Sequence, residues 1–287
     1  MRPTIIWTGV SRVALVCALV SLLSCSAAPS YRTFATPEDA VRGLIAAAKS
    51  KNLQDAVAIF GPDGKDLADT ADPETARRNR QVFTVAAAER WQLSDQADGT
   101  KILLIGNESW PFPVPLVKEG NAWRFDTAAG REEIIARRIG RNELATIKIC
   151  RTYVFAQQLY AKSSHDGMPA GLFAKAIRSD PGQQNGLYWT AAHGQKRSPL
   201  GDLLAEASAA ADRPAASPFH GYYFRILATQ DRPVLVAWPA QYDATGVMTF
   251  VANLDGIVKQ KDLGPQTDAQ AKAMATDSAD GSWEIVQ

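Results

Sequence analysis

Cysteine is scarce in this sequence, and the positions of the few cysteines exclude an internal disulfide. Of the three cysteines in 287 residues, Cys17 lies in an apolar N-terminal segment and Cys25 lies at its end. Only Cys150 remains in the part of the chain that is expected to fold. It falls on an apolar side of a predicted helix, which is typical of a buried cysteine that packs as a small hydrophobic residue.

Histidine is equally scarce, and no metal-binding spacing is present. His165, His193 and His220 lie far apart in the chain, whereas zinc sites take three or four ligands and usually include a closely spaced pair. The sequence also lacks a Gly-x-Ser-x-Gly elbow, a Walker motif and a dinucleotide-binding fingerprint. We therefore predict no metal, no cofactor and no assignable catalytic residue. A Ser-His-Asp triad is left open, because it is recognised by geometry.

Neither sign of charge predominates. The chain has 31 basic and 30 acidic residues, for a formal net charge of +1. Nucleic-acid-binding domains usually carry a basic excess on one face or along one helix. No such excess extends over either half of this chain, so we expect no nucleic-acid partner.

The longest apolar run in the first 30 residues is too short to span a bilayer. It covers the 11 residues Val13–Leu23, whereas a transmembrane helix needs about 20. Arg2 and Arg12 precede it without any acidic residue. A basic start followed by a short apolar run is typical of a signal peptide, which we assign to residues 1–24.

The end of this segment carries a second signal. Leu22-Leu23-Ser24-Cys25 resembles the bacterial lipobox, which implies lipid attachment at Cys25 and a protein held at a membrane, facing the periplasm. Ser26 is not the aspartate associated with inner-membrane retention, so the outer membrane is favoured. The alternative is an ordinary secretory peptide and a secreted soluble protein. Residues 25–36, rich in Ala, Ser, Pro and Thr, are predicted to be a tether.

The first half of the mature chain predicts helices followed by an antiparallel sheet. Thr36-Pro37-Glu38-Asp39 combines a helix N-cap, a proline in the first turn and acidic residues at the positive helix end. Asp98-Gly99 and Glu119-Gly120-Asn121 are typical hairpin turns between predicted strands. This order predicts a small α+β domain over residues 37–128. Its architecture resembles the nuclear transport factor two-like, or SnoaL-like, cone.

The middle of the chain, Ala129 to Lys162, predicts a helix in two parts. Gly140 divides the run, residues 129–141 form a connecting helix, and Asn142 is placed to cap the second part. Apolar residues lie around most of the circumference of the second part, which is typical of a helix buried from more than one side. We expect both halves of the protein to pack against it.

A cluster of arginines lies at the division of this helix. Glutamates at helical spacing, Glu132, Glu133 and Glu143, can pair with them, so a salt-bridged helix surface is the simpler interpretation. The alternative is an anion or partner contact, for which the candidates are Arg137, Arg138 and Arg141.

The second half of the chain predicts another small α+β domain, over residues 142–265. An irregular stretch interrupted by a helix from Leu200 to Ala211 precedes strands at Gly221–Leu227 and Val234–Trp238 and a hairpin across Leu254-Asp255-Gly256. This order resembles a type IV pilin-like headgroup. Residues 266–287 are predicted to be a C-terminal tail. The fold class is therefore α+β, with helices on an antiparallel sheet in each of two small domains that are joined by a central buried helix.

Several blocks of the mature chain resemble one bacterial family. They include Phe60-Gly61-Pro62-Asp63-Gly64-Lys65, Arg138-Ile139-Gly140-Arg141-Asn142-Glu143, Gly186-Leu187-Tyr188-Trp189 and Gly246-Val247-Met248-Thr249-Phe250. The family is catalogued as domain of unknown function twenty-nine-fifty, and the resemblance runs from about Thr36 to Pro265. It implies an exported bacterial protein and supplies no catalytic residues.

Together these features predict a bacterial cell-envelope lipoprotein that acts as a non-enzymatic binding or assembly component. We expect an envelope protein partner as well as the membrane contact through Cys25. The alternative is a small-molecule carrier or enzyme that uses a cavity in the N-terminal domain, because cone-like folds often enclose one.

Overall fold

The computed structural model describes residues 31–50, 52–61, 64, 73–191, 197–201, 217–227, 232–275 and 281–286. The predictions for the signal peptide, Cys25, His193 and most of the Leu200–Ala211 helix lie outside these residues. Within them, three helices precede an antiparallel sheet, and a long helix precedes a second antiparallel sheet. The predicted α+β class is confirmed.

Three helices open the described chain: α1 (Pro37–Ser50), α2 (Leu53–Phe60) and α3 (Pro73–Glu89). The first begins as the sequence indicates, because the Thr36 hydroxyl oxygen accepts a hydrogen bond from the backbone N–H of Asp39 at 3.1 Å. The second is capped by Asn52, whose side chain accepts from the N–H of Gln54 at 3.0 Å. Local capping therefore determines where these helices start.

The first sheet has five strands: β1 (Trp91–Asp95), β2 (Lys101–Ile105), β3 (Trp110–Pro111), β4 (Leu116–Glu119) and β5 (Ala122–Phe125). The strand order is β1-β2-β4-β5, and β3 pairs with β2. Both predicted hairpins are confirmed, and their turn glycines, Gly99 and Gly120, adopt φ values of 82° and 60°.

Aromatic rings fill the interior between the first sheet and its helices. Phe125 on β5 meets Phe60 of α2 edge-on with ring centroids 5.6 Å apart, and it meets Phe112 in the same way at 6.2 Å. Phe83 of α3 lies 5.5 Å from Phe112. Such ring pairs stabilise a core beyond the apolar area that they bury.

The central helix is continuous, which corrects the predicted division at Gly140. The helix α4 runs without interruption from Thr127 to Ala161, and Asp126 caps its start. Glycine inside a helix costs only about 1 kcal/mol relative to alanine, which is too little to break a helix that packs at both ends. Asn142 caps nothing, because its side-chain N–H donates to the backbone carbonyl of Thr245 at 2.8 Å.

The two sheets contact opposite sides of α4. In its first half, Gly130 faces Val114 and Arg137 contacts Pro111, so this side meets the first sheet. In its second half, buried Tyr153 belongs to the core of the second sheet. The sixteen residues from Arg137 to Tyr153 correspond to about 160° of rotation about the helix axis. Both halves of the protein therefore pack against the helix, but at different ends and on different sides.

The second sheet is antiparallel with the order β12-β11-β10-β9-β8. Its strands are β8 (Tyr222–Leu227), β9 (Val234–Pro239), β10 (Met248–Ala252), β11 (Val258–Asp262) and β12 (Glu284–Ile285). Every residue of β9 is buried, as its continuous apolar run predicts for a central strand. Two short strands, β6 (Ala176–Arg178) and β7 (Gly186–Tyr188), form a parallel pair in the stretch predicted to be irregular.

The residues assigned to the C-terminal tail cover the other face of the second sheet. A short helix, α5 (Thr267–Ala273), follows a 3-10 turn at Gly264–Gln266, and Ala271 and Trp283 are buried against β9 and its neighbours. Arg225 of β8 donates to the carbonyls of Ala271 and Met274, both at 2.8 Å, at the end of α5. The second sheet is thus covered by α4 on one face and by α5 on the other.

No helix in the described part of the chain combines the length and the apolar character that a membrane span requires.

Candidate partner-binding face on the central helix

The start of α4 is fixed to the first sheet by close contacts. The hydroxyl of Thr127 donates to the backbone carbonyl of Phe60 at 2.6 Å, and both groups are buried. A Cβ atom on Gly130 would lie 2.6 Å from a methyl group of Val114. Only glycine allows this approach, so the helix and the β3–β4 connection lie in direct contact.

Arg137 is part of this junction. Its Nε donates to the Glu133 carboxylate at 2.7 Å, and one of its terminal nitrogens donates to the Pro111 carbonyl at 2.8 Å. Its guanidinium also lies 5.2 Å from the ring centre of Trp110. The predicted pairing with a glutamate at helical spacing is therefore observed at Arg137, and the same side chain joins α4 to β3.

The other two candidate arginines lie on the surface. Arg138 and Arg141 are exposed, one and four residues beyond Arg137. The structure therefore separates the predicted cluster into one structural arginine and two exposed ones. The contact of Arg137 with Trp110 and Pro111 depends on residues that are more than 25 positions away, so helical spacing alone could not show it.

The sequence suggests that Glu143 pairs with an arginine, but the structure gives its carboxylate other partners. Its carboxylate oxygen accepts hydrogen bonds from the backbone N–H groups of Val247 and Met248, at 2.9 and 3.0 Å. The nearby Tyr222 hydroxyl donates to the Met248 carbonyl at 3.0 Å. Burial, and secondarily the Glu143 carboxylate, raises the pKa of Tyr222 well above its usual value. Glu143 thus fastens α4 to the start of β10.

Deeper in the second core, polar side chains serve packing. The His165 ring stacks on Tyr160 with centroids 3.9 Å apart, and its Nε2 lies 2.9 Å from the Tyr160 carbonyl oxygen. Cys150 is fully buried, and this burial raises the pKa of its thiol to about 12. A neutral, enclosed thiol is a poor nucleophile, so the prediction that Cys150 belongs to packing is confirmed.

Among the described residues, no three histidine, cysteine, aspartate or glutamate side chains are grouped closely enough to hold a metal ion. His165 is enclosed by aromatic rings, and His220 lies at a turn with a φ of 48°.

The sequence predicts that the outward side of the second half of α4 is buried, but this side is exposed. Leu144 is 70% exposed and Phe155 is 50% exposed. Basic residues at helical spacing lie on the same side, and all are exposed. We call this surface the basic face. It consists of Arg141, Leu144, Lys148, Arg151, Phe155 and Lys162.

The family comparison agrees with the sequence blocks that suggested it. A model described as "Protein of unknown function (DUF2950)" matches residues 31–286. The chain belongs to this family. Searches of curated proteins and of solved structures give no match.

The family match covers both sheets, α4 and the residues assigned to the C-terminal tail. DUF2950 membership brings no site residues to this chain. The pilin-like and SnoaL-like resemblances stay predictions, and so does the division into two domains.

Proposed function

We propose that this protein is a lipid-anchored component of the bacterial cell envelope that binds another protein and catalyses no reaction. The signal peptide over residues 1–24 and the lipobox-like Leu22-Leu23-Ser24-Cys25 support export and lipid attachment at Cys25. Cys25 would hold the protein at the outer membrane, facing the periplasm.

The observation that carries the binding proposal is the basic face. Leu144 and Phe155 are large apolar side chains exposed to solvent on α4, and exposed basic residues lie within one helical turn of each, Arg141 and Lys148 near Leu144 and Arg151 near Phe155. Apolar anchors surrounded by charged residues are typical of protein-interaction surfaces. Because α4 packs against both sheets, a partner on this face would contact a helix that both halves of the protein hold in place.

The packing beside the first sheet also favours binding over the alternative of a carrier or enzyme. That alternative needs a cavity in the N-terminal half. Phe60, Phe112 and Phe125 occupy the interior there in edge-on contact, with ring centroids 5.6 and 6.2 Å apart.

A pair of cysteine variants tests the anchor. Cells that express Cys25→Ser or Cys17→Ser would be labelled with an alkyne fatty acid and fractionated. We expect Cys25→Ser to lose the label and to leave the membrane fraction. Cys17→Ser, which changes a cysteine inside the signal peptide, should keep the label and stay in the membrane fraction. Equal labelling of the two variants, or none in the parent protein, contradicts lipid attachment at Cys25.

Photo-crosslinking tests the binding function. A photoreactive residue at position 155 is compared with one at position 285, where Ile285 is 63% exposed and far along the chain. Irradiated cells should give a discrete protein adduct from position 155 that is missing from position 285. If neither position gives an adduct, the protein does not act through a partner on this surface.

A further inference from the structure

We infer that the basic face binds an acidic amphipathic helix of a protein partner. This inference rests on the proposed binding function and specifies the chemistry of the occupant. Three observations support it: the spacing of the apolar side chains, the sign of the charge and the shape of the surroundings.

The apolar side chains have the spacing of helix-contacting anchors. Leu144 and Phe155 are eleven residues apart, which places them about three turns and 16 Å apart on nearly the same side of α4. Their exposed fractions of 70% and 50% leave most of each side chain available for contact. An amphipathic helix that lies along α4 can place one apolar residue beside each anchor.

The charged side chains that α4 itself contributes to this side have one sign. Arg141, Lys148, Arg151 and Lys162 lie on it, and the only acidic residue between Arg141 and Lys162 is Glu143. The carboxylate of Glu143 points the other way, into its hydrogen bonds with Val247 and Met248. An acidic partner is therefore favoured by charge, and a basic one is disfavoured.

The surroundings favour a narrow partner over a flat one. Gly130, Arg137, Leu144 and Arg151 are spaced by seven residues, so they lie on nearly one side of α4. The first sheet already contacts that side at Gly130 and Arg137. The first sheet therefore stands as a wall across the N-terminal end of the basic face, and half-exposed Trp110 lies where this wall meets α4.

A bilayer is flat over distances much larger than this step, so the wall would hold it away from Arg141 and Leu144. A helix about 10 Å wide can instead lie along α4 with one end against this wall. From Arg141 to Lys162 the basic face is about 30 Å long at 1.5 Å per residue, which matches a partner helix of about 20 residues.

The test uses the purified full-length protein in a nonionic detergent and a designed peptide as the probe. The peptide has about 20 residues, with glutamates along two sides and leucines along one. A second peptide has the same composition in a shuffled order that removes the leucine stripe. Fluorescence anisotropy measures the affinity for each peptide at several salt concentrations.

We expect the striped peptide to bind at least about tenfold more tightly than the shuffled one. The Leu144→Ser/Phe155→Ser protein should lose this preference. The Arg141→Glu/Lys148→Glu protein should bind about tenfold more weakly at low salt, with a smaller loss at high salt.

A matched control removes exposed apolar residues elsewhere. Val82 and Val85 on α3 are 61% and 55% exposed. The Val82→Ser/Val85→Ser protein should keep its preference for the striped peptide. Circular dichroism on all three variants checks that each retains its helical content, because all the replaced side chains are exposed.

Four results would overturn the inference. Equal affinity for the two peptides would indicate that charge alone drives binding. Unchanged affinity in the basic-face variants would place the binding site elsewhere on the protein. Flotation of the Cys25→Ser protein with anionic vesicles, lost in the basic-face variants, would identify a membrane as the occupant. A dimer in sedimentation that these variants abolish would identify a second copy of the chain.

The failure of this inference differs from the failure of the proposed function. A protein adduct from position 155 together with no preference for the striped peptide leaves the binding function in place and rejects the acidic helix. An absence of both fatty-acid labelling and adducts rejects the proposed function itself.

Discussion

Gln157 and Ala174 exchange two hydrogen bonds in the core of the second sheet. The Gln157 side-chain amide donates to the Ala174 carbonyl at 2.8 Å and accepts from the Ala174 N–H at 2.9 Å. The same amide also donates to the Tyr153 hydroxyl at 3.2 Å. A fully buried glutamine is thus satisfied, and it joins α4 to the segment that leads into β6.

The Gln157→Leu variant should therefore lose much of the stability of this region. Replacement leaves the N–H and the carbonyl of Ala174 buried without partners, at a cost of about 1–3 kcal/mol each. We expect the free energy of unfolding to fall by about 2–6 kcal/mol, the sum for these two groups. Urea denaturation followed by circular dichroism measures it. The neighbouring Gln158→Leu, on the exposed side of α4, should change it by less than about 0.5 kcal/mol.

Two glycines of α4 should respond to alanine in opposite directions. Gly140 has open space where a Cβ would lie, so Gly140→Ala should raise the free energy of unfolding by about 0.5–1 kcal/mol. At Gly130 the new Cβ would lie 2.6 Å from a Val114 methyl group. Gly130→Ala should lower the free energy by about 1–3 kcal/mol. The same urea titration measures both, and a stabilised Gly130→Ala would show that Val114 moves aside freely.

Arg137 and its neighbour Arg138 form a matched pair of substitutions. Arg137 makes an ion pair, a hydrogen bond to a carbonyl and a contact with the Trp110 ring, whereas Arg138 is exposed. We expect Arg137→Leu to lower the free energy of unfolding by about 1–3 kcal/mol and Arg138→Leu to change it by less than about 0.5. Tryptophan fluorescence should also shift only in Arg137→Leu. Equal effects would mean that Arg137 does not hold the junction.

Raising the pH above 9 should lower the free energy of unfolding, partly because of Cys150. Burial raises the pKa of its thiol from 9.0 to about 12, so above pH 9 the unfolded chain loses a proton that the folded chain keeps. Proton loss from the unfolded state alone favours unfolding, so this contribution to stability is complete below pH 9 and falls as the pH rises towards 12.

Between pH 9 and 10 the parent protein should lose about 1 kcal/mol more than Cys150→Ala does. Urea titrations at the two pH values measure this difference. A thiol reagent added to the folded protein at pH 9 should leave Cys150 unmodified, and rapid modification would contradict its burial. Tyr153 and Tyr222, whose pKa values are also raised by burial, should add their own losses above pH 10 in both proteins.

Much of the local structure could be predicted from the sequence. Thr36 and the turns at Gly99 and Gly120 act through neighbouring residues, so their residue types indicate the helix start and the hairpins directly. The apolar run of β9 likewise predicts a strand buried on both faces. These features need no knowledge of distant contacts.

The candidate site could be predicted only in part. The arginines around Gly140 stand out in the sequence, and Glu133 has the helical spacing that allows it to pair with Arg137. The sequence could not show that Arg137 contacts Pro111 and Trp110, or that Glu143 bonds to Val247 and Met248. These partners lie 26 or more residues away, and spacing along one helix carries no information about them.

The exposure of Leu144 and Phe155 separates what the sequence determined from what the tertiary structure decided. The sequence by itself determined that α4 forms, that it carries apolar residues around most of its circumference and that arginines cluster near its middle. Only the tertiary structure decided which sides are covered, because the two sheets pack on opposite sides at different ends of the helix. That offset leaves Leu144 and Phe155 in solvent and assembles the basic face beside the first sheet.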